Sequence, residues 1–143
     1  MAIRQLSIFL ENRSGRLQAI TSMLAEAGVD IRGLSIADTS DFGILRLIVD
    51  DIAKAESVLK AKQVVLHTND VTAIEVGHQP GGLAKVLALL NDTAINVEYM
   101  YTLAVPCGVN PVLIMRFSEP KVAREKLRAG GTKLLDEAEL GMK

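Results

Sequence analysis

The chain repeats itself, and this constrains its fold more than any other feature. Leu6, Ile8, Leu10, Gly15, Leu17, Ile20, Leu24, Val29, Asp30 and Ile31 recur 66 residues later. Their counterparts are Thr72, Ile74, Val76, Gly81, Leu83, Val86, Leu90, Ile95, Asn96 and Val97. Eight of these ten pairs keep apolar or glycine character, and Asp30/Asn96 keeps a short polar side chain. A period this long exceeds that of a solenoid unit and suits one small domain. The sequence therefore reads as a tandem duplication, with units at residues 1–69 and 70–143.

Units of this size hide little of their chain from water when alone. Two that pack together share a larger core. Apolar residues make up 49% of the chain, aromatics only 3%, and there is no Trp. The expected core is thus aliphatic. Scarce aromatics and dispersed basic residues, at a net charge of −1, argue against nucleic-acid binding. The one dense charged run, residues 121–128, mixes signs as a solvated helix face does. A single Cys107 excludes an internal disulfide. No signal peptide or membrane-spanning apolar run is legible, so the expected location is cytoplasmic.

Residues 3–10 alternate as a strand, with Leu6, Ile8 and Leu10 on one side. Glu11-Asn12-Arg13-Ser14-Gly15 breaks it. Leu17, Ile20, Leu24 and Ala27 follow at helical spacing, and Gly28 suits a left-handed helix end. Strands are expected over 29–37 and 42–49, with a turn at Asp38-Thr39-Ser40-Asp41. Asp50 or Asp51 can cap a second helix, and a short fourth strand covers 64–68. Thr68-Asn69-Asp70 then reads as the connection between units. The second half repeats the order: strand 71–76, helix 83–91, strands 95–103 and 112–117, a helix from Pro120, and a last strand near 132–135. Its middle hairpin is wider by two residues, around 105–111. The fold class is α+β: two ferredoxin-like βαββαβ units, each an antiparallel sheet with helices on one face.

The turn after each first strand carries the chemistry. It reads Asn12-Arg13-Ser14-Gly15-Arg16-Leu17 and then His78-Gln79-Pro80-Gly81-Gly82-Leu83. Glycine permits close backbone approach. A helix start offers free N–H groups to a carboxylate. On this plan the strand carrying Asp30 or Asn96 is expected beside the first strand, where its side chain can take an ammonium. Together these describe a site for an α-amino acid. The same residues also read as an ordinary strand-to-helix turn with a local Asp or Asn cap. Enzyme features are poor: no adjacent base activates Cys107, no nucleophile–base order appears, and Gly81-Gly82 lacks the Lys-Ser/Thr of a phosphate loop. His67 reads as a structural strand residue, and Tyr99 and Tyr101 as packing residues.

The pattern resembles the ACT domain, a regulatory amino-acid-binding module. The resemblance rests on Ser14-Gly15-Arg16-Leu17 with Gly28-Val29-Asp30-Ile31, and on Pro80-Gly81-Gly82-Leu83 with Ile95-Asn96-Val97. The copies depart from the usual pattern at Ser14, Asp30 and His78. ACT domains pair side by side through their edges and hold amino acids at the interface. The resemblance implies ligand contact by Asn12, Ser14, Gly15, Arg16, Leu17, Asp30 and Ile31, and by His78, Gln79, Gly81, Gly82, Leu83, Asn96 and Val97. It further implies a non-catalytic protein without cofactor or metal. Such a protein forms a homo-oligomer such as a dimer, or acts on a separate enzyme or regulator. The rival readings are a small enzyme using His78 and Asp30, and a pairing module without ligand.

Overall fold

A computed structural model of the protein describes residues 2–38 and 42–143. The centre of the turn expected at Asp38–Asp41 lies outside them. The elements are β1 (Ile3–Glu11), α1 (Arg16–Glu26), β2 (Ile31–Asp38), β3 (Phe42–Val49), α2 (Ile52–Ala61) and β4 (Leu66–Glu75). They continue as α3 (Gly82–Ala88), β5 (Val97–Thr102), β6 (Val112–Phe117), α4 (Pro120–Ala129) and β7 (Lys133–Leu135). This is the expected pair of βαββαβ repeats. Two compact units result: Arg4–Asn69 with Gly141–Lys143, and Asp70–Leu140 with the N-terminal residues through Ile3.

In the first unit the strand order is β2-β3-β1 and then the start of β4. β3 runs antiparallel to both β1 and β2, with Ile8 opposite Leu45 and Leu34 opposite Leu47. The alternation of β1 places Leu6, Ile8 and Leu10 on one face, with Leu45, Leu47 and Val49 of β3 beside them. Ile20 and Leu24 of α1 and Ile52, Ala55 and Leu59 of α2 complete this aliphatic core. Both helices therefore lie on one face of the sheet. The second unit repeats the plan in the order β5-β6-β4-β7. Its core holds Ile74, Leu113, Met115 and Phe117 from the sheet and Leu90, Ala123 and Leu127 from the helical layer.

Two expectations need correction. First, β2 does not lie beside β1, because β3 is inserted between them. A β-hairpin must pair with itself, and β3 has one remaining edge, which goes to β1. Second, the fourth strand does not end at residue 68: the expected connection at residues 68–70 falls at the unit boundary, but inside a strand. They lie within β4, an unbroken strand whose first four residues belong to the first unit and last six to the second. Their polar side chains sit on an extended chain held by hydrogen bonds. Ser7 Oγ donates to Asn69 Oδ1 at 2.6 Å, Thr68 hydrogen-bonds Glu56, and Arg116 donates to the Asp70 carbonyl at 2.6 Å.

Candidate functional site

Each turn is built on a left-handed glycine. Gly15 has φ +85° and ψ −8° at the start of α1, and Gly81 has φ +86° and ψ 0° at the start of α3. A side chain is disfavoured there by roughly 1–2 kcal/mol. The backbone bonds match as well. Arg13 N–H donates to the Glu11 carbonyl and Arg16 N–H to the Arg13 carbonyl. In the second turn Gln79 N–H donates to Gly77 and Gly82 N–H to Gln79. Neither helix start is capped by a side chain, and neither has an acidic residue in its first turn.

Asp30 and Asn96 are held just as regularly, but elsewhere. Asp30 N–H donates to Asp50 Oδ1 at 2.8 Å, and Asp50 N–H donates back to the Asp30 carbonyl at 3.0 Å. Asn96 and Ser118 exchange the same two bonds, both at 2.9 Å. The register separates these residues from the turns. Leu10, at the turn end of β1, lies opposite Gly43, whereas Ile31 lies opposite Val49. Six residues of strand between these positions amount to about 20 Å. Within one unit, then, the turn and Asp30 occupy opposite ends of the sheet, and Asn96 and Val97 stand likewise to the second turn. Asp30 also has a cationic partner already, Arg32 Nη1 at 3.2 Å.

The first turn instead borders a cleft of about 210 Å³. Asn12, Arg13 and Leu17 line it from the turn, and Leu10 and Glu11 from the end of β1. Ile36 and Asp38 of β2 and Gly43 of β3 close it. This volume is below that of sites for drug-sized ligands. Glu11 and Arg13 form an ion pair at 2.9 Å. Next to Leu17 in the chain, Arg16 has an Nε enclosed by protein, with no hydrogen-bond partner. Sequence reasoning missed Glu11, Ile36 and Asp38. They share this end because β1 and β2 run parallel on either side of β3, a relation visible only once strand order is known.

The second turn differs. Gln79 and Gly82 border a wider cleft of about 440 Å³ between α3 and the α4–β7 connection, with Lys85, Gly130, Gly131 and Lys133 on its walls. His78 faces another cleft of about 320 Å³, formed with the wide loop at residues 103–112. A displaced titration occurs at Asp92, between α3 and β5. A hydrogen bond from Lys126 at 3.1 Å and that residue's charge hold its carboxyl below the usual range. No group of three or more His, Cys, Asp or Glu residues placed to hold a metal occurs among the described residues. No helix among them is long and apolar enough to cross a membrane.

The duplicated βαββαβ plan, with a left-handed glycine opening the first helix of each copy, has a known counterpart. The sequence model of the family described as ACT domain pair matches residues 1–142. The chain belongs to this family. A solved protein from Bacteroides thetaiotaomicron is 39% identical, with a TM-score of 0.91 over 99% of this chain and 96% of that one. The ligand-free regulatory subunit of aspartate kinase from Thermus thermophilus shares the fold. It is 18% identical, with a TM-score of 0.61 over 90% of this chain and 89% of its own. Aspartokinase III of E. coli, solved with lysine and aspartate, is 11% identical with a TM-score of 0.50, over 91% of this chain and 31% of that one. No curated protein matches the chain.

The two ACT domains have diverged at their turn ends. Phe9 and Val65 are neighbours in the first domain, where Phe9 N–H donates to the Val65 carbonyl. Their counterparts Glu75 and Lys133 form an ion pair at 4.0 Å. Phe9, Phe42 and Val65 stay 44%, 57% and 61% exposed around an apolar hollow that also includes Ala37 and Ile44. His67 meets the Phe9 ring edge-on at 5.6 Å.

Proposed function

We propose that this ACT domain pair is a non-catalytic regulatory protein that binds a free amino acid at the turn of its first domain. The observation that carries the reading is Arg16. An enclosed N–H without a partner costs roughly 1–3 kcal/mol, and a carboxylate is the acceptor that relieves it. Guanidinium binds carboxylate through two parallel bonds; Arg16 lies beside the cleft-lining Leu17 in the chain but does not itself line the cleft, so it must turn toward a ligand bound there. The uncapped start of α1 adds backbone N–H groups of the right sign. Asn12, Ser14 and Gly15 shape this corner through the main chain. Asp38 supplies the charge for the ammonium, and Leu10, Leu17 and Ile36 supply an apolar wall for an aliphatic side chain.

Asp30 and Ile31, and likewise Asn96 and Val97, sit too far from the turn of their own domain to share its ligand. They reach a ligand where the strand start of one ACT domain faces the turn of another, which a dimer of two chains offers. In this reading, ligand binding favours one state of association, with a second copy or with a separate enzyme or regulator. Coupling then equals the difference in affinity between the two states.

The test is thermal unfolding in the presence of each common amino acid at millimolar concentration. A ligand at 100 times its Kd adds about 2.7 kcal/mol. The expected result is stabilisation by one or two amino acids, lost in Arg16→Ala and Asp38→Ala. Loss in Asp30→Ala but not Asp38→Ala would assign the ammonium to the facing domain. A flat response to the whole set would remove the reading.

A further inference from the structure

We infer that the two turns are unequal: the chain takes one amino-acid carboxylate, at the first turn through Arg16, and the second turn lacks the guanidinium that would hold one. The inference rests on the amino-acid reading above. Arg16 and Gly82 occupy the same place, immediately after the left-handed glycine. A Cβ on Gly82 would stand 2.2 Å from the Gly77 carbonyl oxygen and 3.3 Å from its carbon. Where the first domain projects a guanidinium, the second therefore presents a carbonyl oxygen. Gly82 is buried under it.

The charge at this position changes with the shape, from a guanidinium at Arg16 to an uncharged glycine at Gly82. A carbonyl oxygen repels a carboxylate that a guanidinium would attract. The second turn also has Gln79 where the first has Arg13, so it lacks both arginines. The cations that remain near it are Lys85, one helical turn further on, and Lys133, which is paired with Glu75. The glycine conformation was retained in both copies, while the charge that recognises the anion was retained in one.

The experiment is isothermal titration of the full chain with whichever common amino acid stabilises it most in the thermal screen. The expected stoichiometry is one ligand per chain. Arg16→Ala should weaken binding roughly ten-fold or more, as loss of a charged hydrogen bond does. Arg16→Lys, which keeps the charge without the planar fork, should fall between it and the parent. It also separates lost recognition from lost folding, should the alanine variant unfold. The double variant Lys85→Ala/Lys133→Ala should bind within about two-fold of the parent, because exposed lysines outside the site contribute little. Two ligands per chain, with one lost in that double variant, would overturn the inequality and leave the amino-acid reading standing. If no common amino acid stabilises the chain or gives binding heat, the amino-acid reading fails, and the inequality with it.

Discussion

Three glycines near the turns do different work. Gly15 and Gly81 have open space where a Cβ would go, so their requirement is purely conformational. Gly15→Ala and Gly81→Ala should each lower stability by about 1–2 kcal/mol in urea unfolding. Gly82 has an ordinary φ but no room for a side chain. Gly82→Ala should therefore cost more than either, because a backbone carbonyl must move. Equal losses for all three would contradict the packing of the Gly77 carbonyl against Gly82. Asp92 makes a further residue-scale prediction. Its carboxyl is held low by Lys126, so the contact stabilises the fold above the usual carboxylate range and is lost as pH falls through the depressed value. Lys126→Ala should move the Asp92 titration, followed by NMR, up toward the usual range. At the acid end, parent and variant stabilities should converge.

At the scale of elements, neighbouring aspartates divide two tasks. Asp51 caps α2, accepting from Lys54 N–H at 3.1 Å. Asp50 instead ties down Asp30. Asp51→Ala should destabilise the protein by about 1 kcal/mol through the lost cap, without changing ligand affinity. A fall in affinity as large as that of Arg16→Ala would show that the far sheet end reaches the ligand. The helices, their glycine ends and most strands were legible from apolar spacing, because one-sided burial imposes periods of two and 3.6 on the side chains. The β4 strand was not. Its middle residues, Thr68, Asn69 and Asp70, are turn formers by local preference, and tertiary hydrogen bonds with Ser7, Glu56 and Arg116 override that preference.

At the scale of the whole molecule, regulation demands that ligand shift an association equilibrium. Sedimentation of the chain with and without its stabilising amino acid should show a change in the dimer fraction, and Arg16→Ala should abolish that response. An association state indifferent to ligand would confine the protein to binding without this output. The duplication, the α+β class, the ACT resemblance and the two glycine turns were determined by the sequence itself. Each depends on local spacing or on the steric demand of a single residue. Which polar groups share a site was decided only by tertiary structure. Insertion of β3 between β1 and β2 sends Asp30 to the far end of the sheet and brings Glu11 and Asp38 to the turn. Two turns alike in sequence pattern and backbone angle likewise differ in chemistry because the Gly77 carbonyl packs against Gly82 where Arg16 stands in the other copy. Spacing along a chain records which face a residue occupies, but not which strand end lies beside it.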